Sequence, residues 1–324
     1  MTSEHSGHNN ARPVILDCDP GHDDALAILL AAASPELKVL GITTVCGNTT
    51  LANSTRNALR LVNFANLGIP VARGAAKPLL REPSLDVPRV IHGESGLDGP
   101  YIPESPRGPL EEPAVEFIVR TLRESDRKVT LIPTGPLTNI ATVLLTAPDV
   151  KDKVEEIVLM GGALLHAGNI TSAAEFNIYA DPEAAKIVFH SGIPITMVGL
   201  DATMKCVLTD DIIAEIRAMG TPVPVLAADL LDFYNSTIKR HYSEAGGSLH
   251  DPLAVAVVLD RTLVETRLMY VDVETQSELT RGETVGDVWG ITGHDPNVEV
   301  CLDADGDRFF ELLIDRLRAK WGRK

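Results

Sequence analysis

The chain of 324 residues carries 29 lysine and arginine side chains against 45 aspartate and glutamate side chains, a formal net charge of −16. This acidic balance argues against nucleic acid or an anionic membrane as a partner, because both are bound through basic surfaces. Hydrophobic residues make up 44% of the chain, enough for a substantial core, and the length allows one large domain or two small ones.

The amino-terminal residues 1–12 (MTSEHSGHNNAR) are polar and lack the apolar segment of a signal peptide, so we predict a disordered tail there. No apolar run approaches the length that spans a bilayer. The four cysteines lie far apart and without a zinc-binding spacing: Cys18, Cys46, Cys206 and Cys301. We predict that they are free thiols, which favours a cytoplasmic location.

From residue 13 onward, short apolar runs alternate with helical patterns. Strands are predicted over residues 14–16, 37–45, 129–132, 156–160 and 195–198, with a short strand at Val71. Helices are predicted over residues 23–33, 51–65, 112–123, 137–145 and 181–190. Continuous apolar strands separated by helices are typical of a parallel sheet covered on both faces. The predicted fold is therefore α/β, with an open, mostly parallel, Rossmann-like sheet flanked by helices.

Two long segments interrupt this alternation. Residues 77–113 are rich in proline and glycine, and residues 223–249 contain a helical stretch followed by a glycine pair. Segments of this length inside a compact domain are usually functional, so we predict two long active-site loops. Because no linker composition separates the segments, residues 13–324 are predicted to form a single domain.

Four carboxylates follow the first predicted strand within eight residues: Asp17, Asp19, Asp23 and Asp24. Helix capping explains one or two of them. Four neighbouring carboxylates, however, repel one another unless a cation lies between them. Ligands bind outside the carboxyl ends of strands in open α/β sheets, so the position also indicates a site. Oxygen donors alone suit a hard cation, and Ca²⁺ accepts a loose oxygen shell with room for substrate.

This acidic segment, residues 17–25 (DCDPGHDDA), resembles the amino-terminal signature of the inosine–uridine preferring nucleoside hydrolase family. The likeness continues in the same order through residues 42–48 (ITTVCGN), 92–96 (HGESG), 133–139 (PTGPLTN), 158–162 (VLMGG), 175–177 (EFN), 181–185 (DPEAA) and 250–252 (HDP). It covers nearly the whole chain from Pro13, and a series of this length is highly specific. The resemblance implies hydrolysis of the N-glycosidic bond of ribonucleosides to ribose and free base.

The resemblance also implies roles for single residues. The Ca²⁺ would be bound by the carboxylates of Asp19, Asp24 and Asp251 and by the carbonyl oxygen of Thr134. The ribose hydroxyls would be contacted by Asp23, Asn48, Asn169, Glu175 and Asn177, which together supply donors and acceptors. Considered singly, Asn48 and Asn169 each stand beside a glycine and are typical turn residues.

Cleavage of an N-glycosidic bond needs an activated water and a stabilised leaving base. We expect Asp19 to act as general base toward a Ca²⁺-bound water, because the cation lowers the pKa of that water. The departing base needs a proton or a hydrogen bond, and His250, directly before Asp251, is the first candidate for this catalytic role. His92 and Tyr242, one in each long loop, are further candidates for contacts to the base. A structural role is the alternative for all three.

The base preference is less clearly encoded. Tyr242 and the segment that begins at His92 resemble the pyrimidine-preferring branch of the family. Ile238 stands where a polar or aromatic contact to the base is expected, which leaves recognition of the base less specified. The two tryptophans, Trp289 and Trp321, lie late in the chain, so a tryptophan clamp for purines is not evident. These features favour uridine and cytidine, with inosine as a further substrate.

Two other functions compete with this interpretation. A phosphatase of the haloacid dehalogenase type also places two aspartates after its first strand, with Asp17 as nucleophile, Asp19 as general acid and Mg²⁺ as cofactor. That class also needs a later lysine and an acidic pair, which the motifs found here do not supply. A non-catalytic ribose- or nucleoside-binding protein can share the fold, although a binder needs no general base. The family resemblance further implies a homodimer or a homotetramer.

Overall fold

The computed structural model describes residues 11–83, 85–242 and 246–323, apart from the side chains of Asp86, Val87 and Tyr242. The strands in this part of the chain are β1 (Arg12–Cys18), β2 (Leu37–Thr44), β3 (Val71–Arg73), β4 (Val129–Pro133), β5 (Val154–Met160), β6 (Ile195–Val198), β7 (Val264–Met269), β8 (Val271–Val273), β9 (Thr284–Gly286) and β10 (Val298–Ala304).

The helices in the same part are α1 (His22–Ala33), α2 (Leu51–Phe64), α3 (Asp86–His92), α4 (Ala114–Glu124), α5 (Thr138–Thr146), α6 (Phe176–Ala180), α7 (Pro182–Phe189), α8 (Leu200–Thr203), α9 (Asp210–Ala218), α10 (Pro222–Tyr242), α11 (Asp251–Leu259) and α12 (Gly306–Trp321). Short 3₁₀ helices follow α5 at Pro148–Lys153 and α11 at Arg261–Leu263.

The main sheet has eight strands in the order β3-β2-β1-β4-β5-β6-β10-β7, and β8 and β9 form a separate antiparallel pair. Neighbouring strands of the main sheet are parallel, except for β10 and the edge strand β7. This confirms the predicted mostly parallel α/β sheet. Because β1 lies between β2 and β4, the chain leaves β1 toward one side of the sheet and returns later on the other. That reversal opens a crevice at the carboxyl ends of β1 and β4.

The central strands are buried on both faces of the sheet. In β1, Val14 and Leu16 belong to one hydrophobic cluster and Ile15 belongs to the other. Helices α1, α2, α10, α11 and α12 contribute to the first cluster, and α4, α5 and α7 contribute to the second. Successive side chains of a strand point to opposite faces. Burial on both faces therefore explains why the strands appear in the sequence as continuous apolar runs.

Helix α1 carries Asp23 and Asp24 in its first turn and is buried along nearly its whole length. Its sequence, HDDALAILLAAA, is apolar on every side after the first turn, as expected for a helix enclosed by other elements. It packs against α10, α11 and α12. This enclosure holds the two carboxylates in a fixed place at the edge of the sheet.

The structure differs from the prediction at three places. Strand β1 begins at Arg12, inside the predicted tail, and the backbone N–H of Arg12 donates to the carbonyl of Glu36 at 2.7 Å. Residues 1–10 lie outside the described part of the chain. The first long loop contains helix α3. The helix tolerates Pro88 because this residue falls in the first turn, where a backbone N–H has no helical partner. The helical stretch predicted in the second long segment is present as α10, and it takes up most of that segment, so less of the segment is loop than predicted.

All four cysteines are buried and free, which confirms the prediction of free thiols. Among the helices of the described ranges, none combines the length and the apolar character that crossing a bilayer requires.

Candidate active site

The turn between β1 and α1 brings the acidic residues to the crevice. Pro20 and Gly21 reverse the chain after β1, and the backbone N–H of Gly21 donates to Asp24 Oδ2 at 2.9 Å. The Asp24 carboxylate therefore satisfies a backbone donor at the start of its own helix. A Cβ atom at Gly21 would lie 2.8 Å from ring atoms of His92, so a glycine is needed for this close approach.

Asp19 lies on the floor of the crevice and is fully buried. Its Oδ2 accepts a hydrogen bond from the backbone N–H of Asn48 at 2.5 Å, while its Oδ1 has no hydrogen-bond partner among the described residues. Gly47 and Gly135 approach the same carboxylate so closely that a Cβ atom on either would collide with it. Burial and then repulsion from Asp24 raise the pKa of Asp19 well above its ordinary value. A carboxylate in this setting can take up a proton or bind a cation.

Asp23, Asp24 and Asp251 form an acidic cluster in which one oxygen of each lies within 4.8 Å of the others. All three side chains are buried. Burial raises the pKa of Asp23 to about 7 and that of Asp24 to about 6. Burial, followed by repulsion from Asp23 and Asp24, raises the pKa of Asp251 well above its ordinary value. A bound cation would offset the cost of holding these charges together.

This acidic cluster overlaps with the predicted metal ligands without matching them. Asp24 and Asp251 belong to both sets, whereas Asp23, predicted to contact ribose, joins the cluster. Asp19 is not one of the three, although its charge also raises the pKa of Asp251. Thr134, at the end of β4, donates through Oγ1 to Asp24 Oδ1 at 2.7 Å. The fold therefore gathers all of these residues from three separate parts of the chain.

The donor atoms of this site fit a hard cation. Asp19 Oδ1 and Asp23 Oδ1 are buried oxygens without a hydrogen-bond partner among the described residues. A buried polar atom of this kind is costly unless a ligand satisfies it. The donors are all oxygens, as Ca²⁺ or Mg²⁺ requires.

Two asparagines beside the acidic cluster are held by hydrogen bonds from their amide groups. Asn48 Nδ2 donates to Asp24 Oδ2 at 3.3 Å. Asn177 Nδ2 donates to the backbone carbonyls of Thr134 at 2.8 Å and of Met160 at 3.2 Å. Since Nδ2 of Asn177 is used for the backbone, its Oδ1 is the atom left to accept a hydrogen bond from a ligand.

Glu175 and Asn169 are held by hydrogen bonds from backbone N–H groups. Glu175 Oε1 accepts from the N–H of Asn177 at 2.9 Å, and Oε2 accepts from the N–H of Gly162 at 3.0 Å. Asn169 Oδ1 accepts from the N–H of Phe176 at 2.9 Å. Burial raises the pKa of Glu175. These bonds orient both side chains, so the turn role expected for Asn169 is compatible with a contact to substrate.

One cavity of about 290 Å³ opens above the acidic residues at the carboxyl edge of the sheet. Its lining includes most of the predicted site residues: Asp23, Asn48, His92, Thr134, Asn169, Glu175, Asn177, His250 and Asp251. Asp19 and Asp24 are fully buried next to it. The cavity is close to the lower end of the sizes found for small-molecule sites.

His92 and His250 both line the cavity. His250 Nδ1 lies 2.8 Å from Thr203 Oγ1. Burial lowers the pKa of His250 to about 4 and that of His92 well below its ordinary value. Both rings are therefore neutral near neutral pH, and each can donate from one nitrogen and accept at the other. The side chain of Tyr242, the third candidate, lies outside the described residues.

Three residues near the cavity were not assigned a role from the sequence. Tyr234 lines the cavity and donates through its hydroxyl to the carbonyl of Ser248 at 2.8 Å. Tyr234 precedes Ile238 by four residues, one helical turn, so the two side chains lie on the same face of α10 and both line the cavity. This spacing was the sequence signal from which Tyr234 could have been predicted. Thr203 is the partner of His250, and nothing in the local sequence indicated it. His22 stands directly before Asp23, and its backbone N–H donates to Nδ1 of His92 at 3.3 Å.

Comparisons with known proteins agree with this site. A family model described as inosine-uridine preferring nucleoside hydrolase matches residues 14–311. The pyrimidine-specific ribonucleoside hydrolase RihA of Escherichia coli O1:K1 is 49% identical over 313 residues, which cover 95% of this chain and 99% of that protein. The solved structure of a purine-preferring ribonucleoside hydrolase from Gardnerella vaginalis has a TM-score of 0.90 and 38% identity, covering 95% of this chain and 99% of its own. The plant nucleoside hydrolase PpNRh1 has a TM-score of 0.89 and 32% identity, covering 94% and 98%.

The fold and the acidic cavity, taken with these comparisons, define an enzyme that hydrolyses the N-glycosidic bond of nucleosides. The chain belongs to the inosine–uridine preferring nucleoside hydrolase family. The resemblance inferred from the sequence motifs is thereby confirmed, and the phosphatase alternative is excluded.

Proposed function

We propose that the protein hydrolyses the pyrimidine ribonucleosides uridine and cytidine to ribose and free base, with Ca²⁺ as its cation. The observation that carries this proposal is the acidic cluster of Asp23, Asp24 and Asp251 beside a cavity lined with amide and carboxylate side chains. Such a lining suits a vicinal diol, which presents several donors and acceptors at once.

Two features support the preference for pyrimidines. The 49% identity to a protein named as pyrimidine-specific is one of them. The other is the cavity wall, where Tyr234 and Ile238 supply apolar surface. Trp289 is 84% exposed and lines a different surface depression, so within the described residues of the cavity no tryptophan is present to stack on a purine. We expect inosine to be a poorer substrate.

The cation would be held by Asp24, Asp251 and the carbonyl oxygen of Thr134, with Asp19 or Asp23 as a further carboxylate ligand. When bound, Ca²⁺ would supply positive charge that acidifies a water molecule and binds the 2′- and 3′-hydroxyls of ribose. The remaining ribose contacts are assigned to Asn48, Asn169, Glu175 and Asn177, which line the same cavity.

Asp19 is the proposed general base. The hydrogen bond from Asn48 fixes Oδ2 and leaves Oδ1 available to take a proton. Burial raises the pKa of Asp19, which makes its carboxylate a stronger base than an exposed one. The water oxygen bonds to C1′ and gives its proton to Asp19, while the C1′–N bond breaks and the base departs with the electron pair.

His250 is the proposed partner of the departing base, and His92 is a second contact to it. Because His250 Nδ1 pairs with Thr203, Nε2 is the nitrogen available to the substrate. A hydrogen bond from a neutral imidazole lowers the energy of the charge that develops on the base.

The proposal is tested with a panel of uridine, cytidine, inosine and adenosine and their 2′-deoxy forms, measured as release of reducing sugar in the presence of Ca²⁺. We expect uridine and cytidine to have the highest kcat/KM. The 2′-deoxynucleosides are expected to be slower by about 100-fold or more, because they lack one of the two hydroxyls that the site binds. Absence of ribose release from every nucleoside would support the non-catalytic alternative instead.

His250→Ala is expected to lower kcat for uridine by about 10²-fold, because the departing base loses a hydrogen bond at the moment its charge develops. Hydrolysis of 4-nitrophenyl ribofuranoside, whose leaving group needs no such help, is expected to change far less. Thr203→Val is the matched control: it removes the hydroxyl near Nδ1 but retains the His250 ring, so its loss on uridine should be smaller. An equal loss on both substrates in His250→Ala would assign a structural role to His250.

The expected homodimer or homotetramer and the cytoplasmic location also remain part of the proposal. Val285, Trp289 and Ile291 are exposed apolar side chains that line one surface depression, which supports association between copies. Sedimentation velocity would measure the oligomeric state, and a monomer at micromolar concentration would contradict it. The buried free thiols support a reducing compartment.

A further inference from the structure

Asp201 is a buried residue near the cavity, and neither the sequence motifs nor the proposed reaction assigns it a role. It lies in the short helix α8 and is 6% exposed. Its carboxylate accepts hydrogen bonds from three successive backbone N–H groups. Oδ2 accepts from Leu164 at 2.7 Å, and Oδ1 accepts from Leu165 at 2.7 Å and from His166 at 3.1 Å. Hydrogen bonds from N–H groups to a carboxylate are stronger than those between neutral groups, so Asp201 fixes this stretch of backbone.

The backbone that Asp201 binds begins a segment, residues 164–170, which we call the wall segment. Four of its residues line the cavity: His166, Gly168, Asn169 and Ile170. The wall segment contains no helix or strand. Its N–H groups therefore need partners outside regular secondary structure, and Asp201 supplies the partner for the first three of them.

The other end of the wall segment is held by different groups. The carbonyl oxygen of Ala174 accepts from the backbone N–H groups of Asn169 at 3.1 Å and of Ile170 at 3.3 Å. The side chain of Asn169 adds a bond to α6, because its Oδ1 accepts from the N–H of Phe176 at 2.9 Å. The two ends of the wall segment thus have separate anchors, and loss of Asp201 should release only the end that begins at Leu164.

Helix α8 contacts the cavity through more than one residue. The backbone N–H of Leu200 donates to the carbonyl of Gly162 at 2.8 Å, so the helix stays joined to the end of β5 without the Asp201 side chain. Two residues after Asp201, Thr203 Oγ1 lies 2.8 Å from Nδ1 of His250. The contact to the wall segment and the contact to His250 come from different side chains, so substitutions can separate them.

Asn169 is the residue of the wall segment to which a contact with ribose is assigned. Because Oδ1 of Asn169 accepts from Phe176, Nδ2 is the atom that can donate to a sugar hydroxyl. His166, the last residue bound by Asp201, stands three residues before Asn169 in the chain. A displacement of about 1 Å at a positioned group can cost about 10²-fold in rate, so an anchor this close in the chain affects the contact.

We propose that Asp201 is a positioning residue for recognition of ribose: it holds the wall segment so that the side chain of Asn169 stays directed at the sugar. This inference rests on the proposed function in that Asn169 contacts ribose. It gives helix α8 two separate tasks, because Asp201 supports binding of the sugar while Thr203 contacts the histidine proposed to assist the departing base.

Two substitutions of Asp201 remove its hydrogen bonds in steps. Asp201→Ala removes all three, whereas Asp201→Asn keeps an oxygen for Leu165 and His166 and places an NH₂ group against the N–H of Leu164. We expect KM for uridine to rise about tenfold in Asp201→Ala, the size of one hydrogen bond, and to rise less in Asp201→Asn. The value of kcat should stay within about threefold, because a contact made equally in the ground state and the transition state affects KM. KM for 4-nitrophenyl ribofuranoside should rise equally, because that substrate contains the same sugar.

A matched control and a double-mutant cycle separate positioning from general damage. Glu274 Oε1 accepts from the backbone N–H groups of Gln276 at 2.5 Å and Ser277 at 3.1 Å, a similar contact in a turn that does not line the cavity. We expect Glu274→Ala to leave kcat and KM unchanged. In an Asn169→Ala background, Asp201→Ala should raise KM by less than about twofold, because its effect acts through Asn169.

Two further measurements need no turnover. Hydrogen exchange at the N–H groups of Leu164, Leu165 and His166 should be about tenfold faster in Asp201→Ala, while exchange in β5 stays the same. The Kd of the Ca²⁺-loaded protein for methyl β-D-ribofuranoside, measured by calorimetry, should rise about tenfold in the same variant. This probe has a fixed furanose ring and no nucleobase. Both measurements therefore test the inference even if no nucleoside is hydrolysed, a result that would contradict the proposed function alone.

Three results would overturn the inference. One is unchanged hydrogen exchange at the three N–H groups in Asp201→Ala. Another is faster exchange with no change in KM or in the Kd for methyl β-D-ribofuranoside, because the wall segment would then be held without effect on the sugar. The third is a loss on uridine that the nitrophenyl substrate does not share, because that pattern would place the effect of Asp201 at His250.

Discussion

Asp19→Asn is expected to lower kcat for uridine by about 10³-fold while part of the substrate affinity remains. The amide oxygen can still accept the N–H of Asn48, so the shape of the site is kept. The other atom of the amide, in the place of Oδ1, is an NH₂ group that cannot take a proton from water. One oxygen ligand for the cation remains. Steady-state kinetics with saturating Ca²⁺ would measure kcat and KM separately.

Asp17→Asn is the matched control for this substitution. Asp17 is also buried, two residues earlier, where its Oδ1 accepts from Thr43 Oγ1 at 2.5 Å and from Asn139 Nδ2 at 2.8 Å. An asparagine can keep both bonds through its own oxygen, so we expect kcat within about threefold of the unsubstituted enzyme. Near-normal kcat in Asp19→Asn would place the base elsewhere. Equal losses in both variants would indicate general damage to the strand end.

Removal of divalent cations by a chelator is expected to abolish hydrolysis and to lower Tm. Without a cation, buried carboxylates face one another in the acidic cluster, and the ribose hydroxyls would lose the ligand proposed for them. A cation that binds only the folded state, present at 100 times its Kd, stabilises that state by about 2.7 kcal/mol. Thermal denaturation and uridine hydrolysis would be followed together as Ca²⁺ or Mg²⁺ is added back. We expect Ca²⁺ to restore both, because Mg²⁺ demands a stricter octahedral geometry.

The stability of the cation-free protein is expected to depend on pH with a defined sign. Burial raises the pKa of Asp23 from 3.8 to about 7 and that of Asp24 from 3.8 to about 6. The folded state therefore holds more protons than the unfolded state between these values. The stability that these two groups contribute is fully present below their unfolded pKa of 3.8. It is lost as the pH rises through their folded values of about 6 and about 7. Saturating Ca²⁺ should remove this loss, because the cation replaces the protons.

Asp251→Asn provides the control for the effect of the cation on stability. The variant has one negative charge fewer in the acidic cluster, so its cation-free form should be more stable than the cation-free unsubstituted protein above pH 7. It should also gain little stability from Ca²⁺. A variant that responds to Ca²⁺ as fully as the unsubstituted protein would show that Asp251 is not a ligand.

The sequence was sufficient for the features that depend on neighbouring residues. The alternation of apolar runs and helical patterns indicated the parallel sheet, because burial on both faces imposes continuous apolar strands. The segment from Asp17 to Asp24 indicated a cation site, because repulsion between carboxylates so close in the chain needs no tertiary contact to be recognised. The motif series then identified the family over nearly the whole chain.

Other features depend on contacts between residues far apart in the chain. Asp251 meets Asp23 and Asp24 because α11 packs against α1 on the same face of the sheet. Thr203 reaches His250 from the end of α8, and its local sequence carries no sign of this contact. Helix α3 was not predicted, because its proline lies in a proline-rich and glycine-rich segment and was interpreted as part of a loop.

The acidic segment from Asp17 to Asp24 combines features that depend on neighbouring residues with features that depend on distant ones. The sequence by itself was sufficient to predict an acidic turn from Asp17 to Asp24 that suits a cation, because the charges and the spacing of these residues are local properties. Only the tertiary structure decided that Asp23 lies in the cluster with Asp251 and that one oxygen of Asp19 has no hydrogen-bond partner among the described residues. These contacts arise where β1, β4 and α11 meet, and packing between distant elements, not the chemistry of adjacent residues, sets which atoms approach one another.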